Sequence, residues 1–313
     1  FRPKLEKIFL VPSHSFDNVN GKFPIGFKIW NTSQKKEFKR IKADVFDVNG
    51  KYLCKKTLYT FSKQQYINNW VSLFKATGND VIGYLAGING NGFQNTNIVY
   101  ILNSREQLAN PRGTWINQYN LIPASIYFAV RKVIPADWLN DRDQFLYPND
   151  GWKADKEFRN DCLTYTLFHG SNNIQSRHGV NHWIPFTESE VNARSKFKSN
   201  FMTDFIAGKI EYASDLFTNG KKRKKFVFSA EAKAVFTAGK KLWTYYHAQP
   251  KCNVNASLYD IREHFQGRNT SGKMNNKSTD ETYNSLIADL RSALKTLAEK
   301  IEPKVYEYGF LKK

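Results

Sequence analysis

The chain reads as an α+β protein with a β-rich N-terminal part, a mixed middle and a helical C-terminal third. Over the first hundred residues, short alternating or β-branched apolar runs are bounded by Gly- and Asn-containing turn signals, the pattern of strands. Beyond residue 226, apolar residues recur at three- and four-residue intervals behind Ser and Asp caps, the pattern of helices. The 313 residues, 41% of them hydrophobic with 24 Phe, 16 Tyr and 7 Trp, suffice for a sizeable core without disulfides or metals.

The elements follow in order. Ile8-Phe9-Leu10-Val11 is a short apolar strand, residues 18–22 are turn-like, and residues 23–30 return as a second strand. Ile41, Ala43 and Val45 alternate with polar neighbours, and Asn49-Gly50 then signals a hairpin. Residues 81–85 and 98–102 are two further strands, separated by a Gly- and Asn-rich stretch over 87–97. Pro123 opens a helix with the apolar body Ile126, Phe128, Ala129, Val130 and Val133, and Pro135 stops it. Residues 137–161 read as an irregular, aromatic and locally acidic stretch. Thr187-Glu188-Ser189-Glu190 is a capping box, and Val191, Phe197, Phe201, Met202 and Phe205 follow it at roughly helical spacing. Asn219-Gly220 and five basic residues break the chain. Ser229 then caps a helix carrying Val235, Phe236, Leu242, Trp243 and Tyr246, ended by Pro250. Ser278-Thr279-Asp280-Glu281 caps the last helix, whose stripe is Tyr283, Leu286, Ile287, Leu290, Leu294, Leu297 and Ile301. Pro303 is expected to terminate it.

Composition excludes several classes. No stretch approaches the roughly 18 apolar residues of a membrane span. Cys54, Cys162 and Cys252 are odd in number and far apart, which argues against a disulfide scaffold or structural zinc and fits a reducing cytoplasm. His178 and His182 sit four apart, but Gly179 and Asn181 between them disfavour the helix a metal pair would need. Gly87-Ile88-Asn89-Gly90-Asn91-Gly92 lacks the order of a dinucleotide loop, and neither a Walker lysine pattern nor a Gly-x-Ser-x-Gly elbow occurs. Asn110-Pro111-Arg112-Gly113 lacks the closing aromatic of an amine-methylating motif and reads as a turn. Cys162 and His169 are too weakly paired for a thiol nucleophile. Phe1 in place of an initiator Met suggests a piece of a longer polypeptide.

Lys and Arg number 47 against 28 Asp and Glu, a net charge of +19, and favour a polyanionic partner. The charge concentrates in Lys35, Lys36, Lys39, Arg40 and Lys42, and again in Lys221, Lys222, Arg223, Lys224 and Lys225. These runs, interleaved with aromatics, are the candidate contacts to double-stranded DNA; a solvated surface is the alternative for either run alone. Arg142 and Arg177 fall in loops from which a guanidinium can reach bases, with ordinary ion pairing as the alternative. Trp138, Tyr147 and Trp152 are expected to pack in the core. The acids of residues 137–155, with Asp150 and Glu157 as a possible pair, suggest a competing metal-dependent nuclease, although Arg159 stands where such a site would carry lysine. A free-standing nucleic-acid-binding module and a basic protein-interaction module also fit the charge.

Several phrases together carry a resemblance. They are Phe9-Leu10-Val11-Pro12-Ser13, Phe23-Pro24-Ile25-Gly26-Phe27-Lys28-Ile29-Trp30, and Trp138-Leu139-Asn140-Asp141-Arg142-Asp143-Gln144-Phe145-Leu146-Tyr147-Pro148. Leu167-Phe168-His169-Gly170-Ser171-Asn172, Asn181-His182-Trp183-Ile184-Pro185-Phe186, Leu242-Trp243-Thr244-Tyr245-Tyr246-His247 and the tail from Lys304 through Leu311 extend them over most of the chain. The sequence resembles the C-terminal part of the large bacterial adenine-specific DNA methyltransferases of restriction–modification systems. The resemblance implies closing strands of a methyltransferase domain over residues 1–60, a target-recognition region over 61–225 and a helical support over 226–313. It also implies an upstream catalytic domain of the same polypeptide that uses S-adenosylmethionine. The family's glycine-rich cofactor loop and Asn-Pro-Pro-Tyr site do not occur in this sequence, so no catalytic, cofactor or metal residue is assigned and none of these ligands is expected to bind this chain.

Overall fold

A computed structural model describes residues 3–19, 21, 23–76, 80–87, 98–108, 112–135, 137–140, 145–210 and 225–312. Strands dominate its N-terminal half and helices its C-terminal third, so the protein is α+β.

The first four strands, β1 (Pro3–Pro12), β2 (Pro24–Lys35), β3 (Arg40–Phe46) and β4 (Tyr52–Tyr59), form one sheet in the order β2-β1-β3-β4. β1 runs antiparallel to β2 and parallel to β3, and β3 is antiparallel to β4. Strand alternation sends Ile8, Leu10, Ala43 and Val45 to one face, where Ile41, Leu58, Trp138 and Leu139 complete a small core. Leu5 joins them although it lies three residues from Ile8. The register shift between Leu5 and Lys7 inserts the extra residue that restores the face. The hairpin joining β3 to β4 turns where Asn49-Gly50 predicts: the Asp47 carboxylate accepts the Asn49 and Lys51 amides at 2.9 and 2.8 Å, and Gly50 takes φ 77°.

After the short helix α1 (Ile67–Val71), β5 (Gly83–Ala86), β6 (Tyr100–Leu102) and β7 (Gly113–Ile116) make a second, antiparallel sheet in the order β6-β5-β7. The helices are α2 (Leu121–Val133), α3 (Gly151–Ala154), α4 (Lys156–Phe168), α5 (Phe201–Ala207), α6 (Ala230–His247), α7 (Leu258–Gln266) and α8 (Glu281–Glu307). α2 is buried on nearly every face and packs on α4, which in turn meets α6 and α8. One core joins these helices to the second sheet and runs from Ile67 to Leu311. Among the described residues no helix is long and apolar enough to cross a membrane.

The structure corrects several expectations. The stretch 137–161 is not irregular throughout: Asp155 accepts the Phe158 amide at 2.9 Å and starts α4, so residues 156–161 are helical. Thr187 and Glu190 do bond to each other, but they cap only a 3₁₀ turn (Ser189–Val191). Asn192 then enters the left-handed region at φ 53° and stops the turn, and helix resumes only at Phe201. Pro303 does not end the last helix. It lies inside α8 on an exposed position, as does Glu299 one turn earlier, so water can satisfy the carbonyl that proline leaves without its amide. Gly113 opens β7, where a Cβ would sit 2.2 Å from the Leu85 carbonyl oxygen; Asn110 and Pro111, where the turn is expected, lie outside the described residues. Trp152 is buried and Trp138 packs under the first sheet as expected, whereas Tyr147 is exposed.

Candidate nucleic-acid interface

The first basic run folds onto the connection between β2 and β3. Lys35 ends β2 opposite Pro3, Lys36 and Lys39 lie on the crossover, and Arg40 opens β3 opposite Tyr59. All four are exposed. The crossover is anchored from beneath: the Thr60 amide donates to the Lys39 carbonyl at 3.1 Å and the Thr60 hydroxyl to the Phe38 carbonyl at 2.9 Å. The side chains can therefore project from a fixed backbone.

Few acids neutralise this unit. Residues 3–59 hold twelve Lys and Arg against five Asp and Glu. Of those acids, Glu6 bonds to Lys4, which with the Asn31 amide holds its carboxyl below the usual range. Asp44 lies 3.5 Å from Lys7, and Asp47 is used in the hairpin turn.

Beside the crossover, Tyr59 and Phe61 stack with ring centroids 5.8 Å apart, and the Lys312 ammonium lies over both rings at 5.4 and 5.8 Å. With Lys55, Lys56 and Tyr306 these residues line a cavity of about 460 Å³ between β4 and the end of the chain. A second cavity of about 400 Å³ has Phe186, Phe228 and Phe236 in its wall and Lys209, Lys225 and Lys240 at its rim. Lys240 is paired with Glu190 and Lys209 with Asp204.

The remaining candidates from the sequence scatter. Arg177 is exposed on a 3₁₀ turn (Ser176–His178) whose Ser176 amide donates to Asp260 at the start of α7. Lys225 is exposed where the chain approaches α6. Arg142, Lys221, Lys222, Arg223 and Lys224 lie outside the described residues.

The acids considered for a nuclease have structural partners. Asp137 accepts the Leu139 and Asn140 amides, Asp150 pairs with Lys153 at 2.7 Å, Asp155 caps α4 and Glu157 pairs with Lys300 at 2.7 Å. Asp141 and Asp143 lie outside the described residues, and among those described no group of three His, Cys, Asp or Glu side chains is placed to hold a metal. His182 bonds through Nδ1 to Ser199. Burial pushes the Cys162 thiol well up, away from nucleophilic use, and lowers His169 to about 3, so its ring stays neutral and accepts the Ser171 amide.

The phrases that carry the family resemblance are largely structural. Phe168, Trp183, Phe186 and Trp243 are buried, Trp183 Nε1 donates to the Ile82 carbonyl at 2.7 Å, and Asn181 donates to the Asn255 carbonyl at 2.9 Å. No protein-family model, curated protein or solved structure matches this chain.

One feature escapes sequence reasoning. Phe27 on β2, Phe9 on β1, Phe46 on β3 and Tyr52 on β4 form a continuous row of ring contacts across all four strands, on the face opposite the small core. Their positions off the apolar core rhythm are visible in the sequence, but aromatic residues read first as packing.

Proposed function

We propose that this chain is the DNA-recognition portion of an S-adenosylmethionine-dependent, adenine-specific DNA methyltransferase of a restriction–modification system. Base flipping and methyl transfer belong to an upstream catalytic domain of the same polypeptide, working in the cytoplasm. The observation that carries this reading is the juxtaposition of the exposed Lys35, Lys36, Lys39 and Arg40 with the open edge of β2, a strand paired on one side only among the described residues. Twelve residues of unpaired edge suit continuation by a strand of an adjoining sheet, because open edges of that length otherwise invite aggregation. The basic crossover beside it suits duplex phosphates, which position a protein while other contacts read the bases. The sequence phrases supply the methyltransferase assignment.

Selection from a random duplex library tests recognition. Enrichment of a defined sequence containing adenine is expected. Retention of duplexes without any enrichment would reduce the chain to a non-specific binder, and magnesium-dependent cleavage of plasmid DNA would favour a nuclease.

A further inference from the structure

The outward face of the first sheet bears an aromatic row with no layer over it among the described residues. Phe9 and Phe27 stack with centroids 4.8 Å apart and planes 11° apart; Phe16 extends the row beyond Phe27, and Phe46 and Tyr52 extend it the other way. Phe16, Phe27 and Tyr52 are 41%, 38% and 49% exposed, so their faces meet water. An isolated exposed aromatic is ordinary, but a contiguous row marks a binding surface.

Charge decides between occupants. Strand register places Lys7, Arg40, Lys42 and Lys55 on this same outward face, with Asp44 among them. A sheet face built to receive a helix layer or a protein partner has a core depleted of charge. Here Lys7, Lys42 and Lys55 stand beside the rings, with Asp44 opposite Phe9. Aromatic rings flanked by lysine and arginine on an open sheet match single-stranded nucleic acid, whose bases stack on the rings while its phosphates meet the cations. Paired bases in a duplex cannot offer their faces in this way. We propose that the outward face of β1–β4 is a stacking platform for unpaired bases of single-stranded nucleic acid. The proposal does not rest on the methyltransferase reading, which needs only the duplex; the two surfaces meet at Arg40.

The test is fluorescence anisotropy with labelled twelve-nucleotide strands of thymidine, of uridine and of abasic deoxyribose. Thymidine strands are expected to bind the intact chain at least ten-fold more tightly than abasic strands of equal charge. Phe27→Leu and Tyr52→Leu, at exposed positions, should each weaken thymidine binding by about ten-fold while leaving abasic binding unchanged. Circular dichroism confirms the fold of each variant, and Tyr52→Leu keeps the test open if Phe27→Leu unfolds. Comparable uridine binding extends the site to RNA, and much weaker uridine binding restricts it to DNA; either supports the platform. Equal affinity for thymidine and abasic strands would overturn it, leaving a phosphate surface only. Dimerisation of the intact chain that both variants abolish, without base-dependent binding, would overturn it in favour of a protein interface. Duplex binding is measured in parallel, so failure of the platform and failure of duplex recognition are separable.

Discussion

Phe9 and Phe27 lie directly opposite each other in the β1–β2 register, and their rings stack at 4.8 Å with nearly parallel planes. The pair fastens the sheet's edge strand to its centre from the solvent side. Phe27→Ala is expected to cost about 1 kcal/mol beyond the area it exposes, with the fold retained. A urea midpoint unchanged from the parent would show that the stack contributes nothing.

Asp161 sets a pH dependence. Its side chain is almost fully enclosed, accepts the Ser229 hydroxyl at 2.7 Å and lies 3.6 Å from Lys300, which also pairs with Glu157 and Glu231. Burial outweighs Ser229 and Lys300 and raises the carboxyl from 3.8 to about 6. The folded state therefore holds a proton that the unfolded chain releases, and this contribution to stability is present below about 4 and lost as pH rises through about 6. Asp161→Asn keeps the acceptor for Ser229 and removes the titration. The variant's stability relative to the parent should rise between pH 4 and pH 7, and parallel stability curves would contradict the assignment.

Gly239 lies where α6 packs against Phe168 of α4. A Cβ there would lie 2.3 Å from Cε1 of Phe168, a ring already packed against Phe186, Phe236 and Trp243. Gly239→Ala favours helix in isolation, yet overpacking should destabilise the protein by about 1–3 kcal/mol. Thermal unfolding checks the sign; a more stable variant would mean that the Phe168 ring can move aside.

Much of this architecture is legible where one local rule acts alone. Asn49-Gly50 turns a hairpin and Ser229 caps α6, its side chain accepting the Ala232 amide. Local rules fail where tertiary packing competes. The Thr187–Glu190 box forms, but Glu188 is drawn off to accept the Phe197 amide and Glu190 to bind Lys240, and the chain leaves the helix at Asn192. Pro303 is overridden because α8 continues to bury Val305 and reaches Tyr308, whose hydroxyl donates to Asp155. The candidate interface is half legible. Charge density points to Lys35 through Arg40, but only the fold brings Lys312 over Tyr59 and Phe61 or lines up Phe27, Phe9, Phe46 and Tyr52 across four strands.

The most direct test of DNA recognition is the salt dependence of duplex affinity in the variant carrying Lys35→Gln, Lys36→Gln, Lys39→Gln and Arg40→Gln. Removing one phosphate contact should flatten the slope of log affinity against log salt by about 0.9. A slope reduced by roughly two to four such steps, equal for target and random duplexes, is the predicted result. The same slope in parent and variant would contradict the account and leave the β2–β3 crossover as ordinary solvated charge.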